Sequence, residues 1–184
     1  DTDPLIIEPF RQTLKKYKPD LVLTREDEIG FLGPTLHESL EKYLDPESAK
    51  LAFDDYRKLN IELHPSLIKT MPHAKELLEA LKAKGYTMAI VSSKKKEAVH
   101  LGLQLTQLDS YFSVIIGYDE VKKFKPDPEG LLKACTELKA YHDDAIYVGD
   151  SHTDMEAADK AGMYSVAYLT HEERKQDLLD TTPN

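Results

Sequence analysis

The groups in this 184-residue chain whose types and spacing suit chemistry are a pair of carboxylates, a hydroxyl and an ammonium. Ala145-Ile146-Tyr147-Val148 reads as a buried strand that stops at Gly149. Asp150, a polar turn and Asp154 follow. An apolar run ending in Gly-Asp puts the carboxylate at the carboxyl end of a strand, the edge where open α/β sheets bind ligands. Asp150 and Asp154, four apart, suit one shared cation, while Asp150 or Ser151 equally suits the N-cap of the next helix. A second strand, 87–91, ends in Ser92, and the loop after a third, 114–116, carries Lys125 between stiffening neighbours, Pro126 and Pro128. In a parallel sheet these ends share one edge. A hydroxyl, an ammonium and a carboxylate converging there match phosphoryl chemistry, in which negative charge spreads over equatorial oxygens. The carboxylate would hold Mg2+, a hard cation that takes oxygen ligands. Taken singly, Ser92 reads as a helix cap, Lys125 as a solvated loop lysine, and Lys94-Lys95-Lys96 as a solvated helix face.

The elements that must position these groups fall into two kinds. Residues 5–68 read as helical throughout. Asp3-Pro4 opens the first helix, with Leu5, Ile6, Phe10, Leu14 and Tyr17 at helical spacing. Thr24 with Asp27 and Thr35 with Glu38 have capping-box spacing, with a Gly33-Pro34 turn between them, and Asp45-Pro46 starts a further helix. After Met71 the pattern changes to alternation. Helices are expected over 72–84, 94–104, 126–139 and 155–161, and strands over 87–91, 114–116, 145–148 and 164–169. Such alternation means βαβ units and a parallel sheet.

Composition narrows the classes of function. Charged residues make up 31% and hydrophobic residues 41%, as in ordinary globular chains. A net charge of −9 argues against a nucleic-acid or membrane-surface partner. No apolar run approaches the ~20 residues of a membrane span. The lone Cys135 precludes an internal disulfide and fits a reducing, cytoplasmic setting. The histidines are scattered without zinc-ligand spacing, and no P-loop or Gly-x-Ser-x-Gly signature is present.

In order along the chain, Ile90-Val91-Ser92, Lys125-Pro126-Asp127-Pro128 and Val148-Gly149-Asp150 with Asp154 resemble three of the four motifs of the haloacid dehalogenase-like phosphatase superfamily. Within it the chain is most similar to the phosphoglycolate-phosphatase and bacterial pyrophosphatase branch, whose cap loop Phe31-Leu32-Gly33-Pro34-Thr35-Leu36-His37 resembles. The resemblance implies an α/β fold: a Rossmann-like parallel sheet flanked by helices, with an N-terminal helical-bundle cap over 5–68 and a core formed by 1–4 and 69–184. It implies a Mg2+-dependent phosphohydrolase that acts through a phosphoaspartate on a small anionic phosphate substrate, as a monomer or homodimer. Ser92 would bind phosphoryl oxygens. Lys125 would neutralise the nucleophile and the phosphate. Asp150 would ligate the metal, with Asp154 supporting it, and Gly33, Pro34 and Thr35 would contact the leaving group. Ser93 and Lys94 would line the same pocket.

One motif is missing. The family's nucleophile and acid/base come from a strand followed by Asp-x-Asp-Gly-Thr, and Asp1-Thr2-Asp3 keeps only the spacing. The strands ending in Ser92 and Asp150 are therefore expected to lack the neighbour between them. The parent protein is expected to supply that strand before Asp1 and more chain after Asn184, and the 184 residues alone are expected to be inactive. The alternative is a phosphate-binding or regulatory relative without a nucleophile. A receiver domain is disfavoured because Asp150 follows Lys125 rather than preceding it, and a dehalogenase because Gly149-Asp150 with Asp154 has the metal pattern.

Overall fold

A computed structural model describes residues 2–181; the expectations for Asp1 and for 182–184 lie outside them. Four helices come first: α1 (Asp3–Tyr17), α2 (Arg25–Gly30), α3 (Leu36–Glu41) and α4 (Pro46–Leu67). Thr2, not Asp3, stands at the N-cap of α1 and makes no capping bond there. Asp3 lies in the first turn, where a negative charge favours the helix dipole. The two capping boxes form as their spacing predicts, Thr24 accepting from Asp27 N and Thr35 from Glu38 N. Helical spacing turns Phe10 and Leu14 inward onto Phe31, Leu40, Ala52 and Tyr56. Phe10 stacks on Phe31 at 4.2 Å between ring centroids.

Alternation begins with α5 (Ala74–Ala83), β1 (Ala89–Val91), α6 (Lys96–Leu105) and β2 (Val114–Ile116). It continues through α7 (Glu129–Leu138), β3 (Ile146–Gly149), α8 (His152–Ala161), β4 (Tyr164–Ala167) and α9 (Lys175–Leu179). Several elements are shorter than expected, for local reasons. α6 starts at Lys96 because Ser92 Oγ first accepts from Lys94 N at 3.1 Å, which makes a turn. α7 starts at Glu129 rather than Pro126, because Asp127 accepts from Glu129 N while the Glu129 carboxylate accepts from Lys122 N and Lys123 N. β1 and β4 are shorter than expected at their outer ends, where single bonds from Ser113 N to Met88 O and from Tyr168 N to Gly149 O continue the pairing, whereas β3 gains Gly149 through its pairing with Ala167.

The strands form two separate parallel pairs, β1 with β2 and β3 with β4. No ladder joins β1 to β3 among the described residues. A helix spans the break instead. α7 places Leu131 and Cys135 against Ala157, Ala158, Ala161 and Met163 on the β3 side, and Ala134 against Val114 and Ile116 on the other. Leu131 is 1% exposed, and burying such a side chain contributes about 1.5–3 kcal/mol. Ile146 and Val148 on β3 remain 64% and 61% exposed, so one face of that pair is uncovered. The protein thus has a Rossmann-like α/β core and a helical cap layer, and no helix among the described residues is long and apolar enough to cross a membrane.

Candidate active site

The carboxyl ends of β1 and β3 open onto a cleft of about 680 Å³, lined among others by Asp3, Ser92, Lys125, Tyr147, Asp150 and Thr170. Each group arrives for a local reason. Ser92 is the first residue past β1, and its N–H donates to Ile116 O at 2.9 Å, which extends the β1–β2 pairing up to the cleft. Lys125 follows the loop after β2 and is joined to Pro126 by a cis peptide. Asp150 follows the last residue of β3, and Ser151 caps α8.

The structure brings Lys125 and Asp154 together rather than Asp154 and Asp150. Lys125 Nζ lies 2.6 Å from Asp154 Oδ1, with the Asp154 side chain buried and that of Lys125 13% exposed. Tyr147 Oη donates to the same oxygen at 3.1 Å. The other oxygen, Oδ2, accepts from Ser151 Oγ at 2.6 Å, Ser151 N at 3.1 Å and Asp150 N at 3.3 Å. Both oxygens of Asp154 are therefore occupied. It does not share a cation face with Asp150; it fixes the lysine and closes the capping box of α8. The cap reading of the acidic stretch is realised by Ser151, and Asp150 lines the cleft.

Electrostatics follow from this pairing. Burial opposes the charge on Lys125, but Tyr147 and Asp154 outweigh it and raise its pKa, so the ammonium is held charged. Burial likewise works against the Asp154 carboxylate, and Lys125, Ser151 and Tyr147 overcome it to pull the pKa below the usual value. Asp150 goes the other way. Burial pushes its carboxyl up, Arg174 opposes that shift, and Asp154 and Asp3 add to it.

The depressed Asp154 carboxyl fixes a sign. Its contribution to stability is present above the unfolded carboxylate value, about 3.9, and is lost as pH falls through the lower folded value. Asp154→Asn is therefore expected to be markedly less stable than the parent at pH 7. The difference should shrink on acidification below about pH 4 in urea titrations. A gap that stays constant down to pH 2 would contradict the assignment.

Among the described residues no three His, Cys, Asp or Glu side chains converge. Asp150 is nevertheless suited to a hard cation. Its carboxyl lines the cleft, is buried enough to be disfavoured as an anion, and no described group donates a hydrogen bond to it. Mg2+ commonly uses one or two protein carboxylates and keeps several waters. Asp150 fits that role, and Asp154 would act through Lys125 and the backbone N–H of Asp150.

The remaining expected residues take other positions. Ser93 lines a smaller cavity beside the cleft, shared with Ser92 and Lys125. Lys94 Nζ is buried without a hydrogen-bond partner, and burial pushes its pKa down to about 8, with Asp3 and Asp150 opposing. Gly33 and Pro34 are exposed, and Gly33 takes φ +111, open to glycine. A Cβ at Gly33 would sit 3.6 Å from that of Ser151 and 3.0 Å from Arg174 Nη2, so the cap turn reaches the N-cap of α8. Thr35 uses its hydroxyl on Glu38, at 2.7 Å.

Three contributors escaped sequence reasoning. Tyr147 reads as one more apolar strand residue, yet its hydroxyl touches Lys125, Asp154 and, at 3.3 Å, Val91 O across the break between β1 and β3. Strand alternation was the available signal, since Tyr147 and Gly149 face the same side. His171 meets Asp3 at 2.8 Å, and Arg174 backs Gly33; both follow the last motif with no spacing to mark them.

The profile of the haloacid dehalogenase-like hydrolases matches residues 1–168. This chain belongs to that family. Pyrophosphatase PpaX of Listeria innocua is 39% identical over 161 residues, which cover 88% of this chain and 74% of that protein. Pyrophosphatase PpaX of Bacillus cereus is 37% identical over 167 residues, covering 91% and 76%. A putative haloacid dehalogenase-like hydrolase from Bacteroides fragilis superposes with a TM-score of 0.86 at 28% identity, covering 96% of this chain and 86% of that one. A predicted phosphoglycolate phosphatase from Haemophilus somnus shares the fold, with a TM-score of 0.84 at 23% identity over 99% and 85% of the two chains. As a member of the haloacid dehalogenase-like hydrolases, the chain is a hydrolase.

Proposed function

We propose that this hydrolase cleaves inorganic pyrophosphate, or a small phosphate monoester such as phosphoglycolate, in a Mg2+-dependent reaction through a phosphoaspartate. The observation that carries the reading is the Lys125 ammonium, locked by Asp154 and Tyr147 on the same cleft as Ser92 and Asp150. Lys125 holds positive charge where a phosphoryl group gathers negative charge, and the Ser92 hydroxyl orients its oxygens. Asp150 would hold Mg2+, which supplies charge neutralisation at the phosphoryl oxygens. Residues 5–68 would act as the cap, with Gly33, Pro34 and Thr35 facing the leaving group. Similarity to the PpaX pyrophosphatases favours pyrophosphate among the candidates.

A second reading is phosphate binding without turnover. The opening between β1 and β3 would seat a strand presenting the nucleophile. Phosphate release separates the readings. The chain alone is expected to release none. The chain extended at its N-terminus by a strand ending in Asp-x-Asp-Gly-Thr is expected to release phosphate with Mg2+, and Asp150→Asn should raise its Mg2+ requirement about tenfold or more. An extended chain that turns over neither pyrophosphate nor small monoesters would leave the binding reading standing.

A further inference from the structure

Lys94 Nζ, Thr170 Oγ1 and Arg174 Nη1 are buried with no hydrogen-bond partner; Thr170 lines the cleft, and Lys94 and Arg174 are not among its lining residues. Leaving a buried guanidinium or ammonium donor without a partner costs free energy. Lys125, by contrast, already gives two of its three N–H groups, to Asp154 and Tyr147. The open cationic donors therefore lie away from the lysine that faces the reacting group.

Arg174 is 9% exposed and sits in the turn before α9. Its Nη2 lies against Gly33 of the cap turn, close to Ser151. It is near enough to Asp150 to pull that carboxyl down. Thr170, four residues earlier, lines the cleft itself. The segment holding both is tied to the helical layer by His171 on Asp3 at 2.8 Å and by Glu173 near Arg25 at 4.0 Å. Lys94 comes from the β1 side, where Asp3 and Asp150 favour its charge. The donors thus gather about Asp150 from the cap seam and from the sheet edge. A guanidinium fork fits a tetrahedral or planar anion through two parallel N–H bonds.

We propose that Arg174 and Thr170, with Lys94, form a second anion subsite that takes the non-reacting charged end of a substrate with two anionic groups. The inference rests on the phosphohydrolase reading for the first group, at Ser92 and Lys125. The occupant of the second subsite is a phosphate or a carboxylate, since both accept the same fork.

Binding to the chain itself tests this without turnover. Calorimetry with Mg2+ present would compare methylenediphosphonate, phosphonoacetate and methylphosphonate. The unaltered chain is expected to bind at least one of the doubly anionic compounds about tenfold or more tighter than methylphosphonate. The stronger of the two identifies the phosphate or carboxylate end. Arg174→Gln should abolish that preference while leaving methylphosphonate affinity within about twofold, and Thr170→Val should reduce it in part. If Arg174→Gln fails to fold, Arg174→Lys carries the test. It keeps the charge without the fork, and an unchanged preference there overturns the proposal. So does an equal loss for all three compounds, which would make Arg174 a structural prop for Asp150, or an unaltered chain that does not discriminate. A preference that depends on Arg174, alongside an extended chain that releases no phosphate, would remove the hydrolytic reading and leave the subsite.

Discussion

Lys125→Met is expected to lower the unfolding free energy by about 3–5 kcal/mol, the range for removing one partner of a buried ion pair. The substitution keeps most of the side chain's volume and deletes the charge with its hydrogen bonds to Asp154 and Tyr147. Asp154 then remains in the interior with hydrogen bonds from Tyr147, Ser151 and the Asp150 backbone but no cation. Its carboxyl should titrate upward, and stability at neutral pH should fall most. Folded domains retain only about 5–15 kcal/mol, so the loss is a large share of the total. The double variant Lys125→Met with Asp154→Asn should recover part of it, because no buried charge is then left over. Urea unfolding of the two single variants and the double one gives the coupling directly. Additive losses would mean that the pair is not coupled. In the strand-extended chain the same Lys125→Met should cut turnover by about 10²–10³, as for loss of one group that stabilises transition-state charge.

Gly149→Ala is expected to destabilise by about 3 kcal/mol or more, at the upper end for overpacking. An added Cβ would overlap Asp154 Cβ and lie 2.6 Å from its Cγ and 2.8 Å from Oδ2. Asp154 cannot swing aside without breaking its bonds to Lys125, Tyr147 and Ser151. The backbone of β3 cannot withdraw without breaking its ladder to β4, where Gly149 pairs with Ala167. Gly30 is the natural contrast. It closes α2, and a Cβ there meets nothing within 4 Å. Gly30→Ala should therefore be neutral or stabilising by about 0.5–1 kcal/mol. Thermal or urea unfolding of both variants checks the opposed signs, and a well-tolerated Gly149→Ala would mean that the carboxylate is not pinned.

Local chemistry explains what was legible in the sequence. Thr24 with Asp27 and Thr35 with Glu38 read correctly because a capping box is complete within four residues. The break between β1 and β3 was expected because the chain carries strands on either side of a motif it lacks. Lys125 and Asp154 were each marked by a motif, but their mutual bond spans 29 positions and no spacing rule records it. For Asp154 the four-residue interval from Asp150 suggested a shared cation, whereas the nearer Ser151 and the distant Lys125 took both oxygens. Arg174 was illegible for another reason: it is one charged residue in a run of charged residues, and only the fold shows that it is buried.

The hydrophobic residues under the four N-terminal helices, from Ile7 to Tyr56, belong to clusters that share no member with those around the strands. Each body therefore keeps its own packing problem. A substitution beneath Phe10 or Leu40 repacks helices and leaves Leu131 or Ala158 undisturbed. Sequence drift in one body is thereby insulated from the other. Were the helical layer to contact the leaving group as proposed, its packing could change without disturbing the Lys125–Asp154 lock.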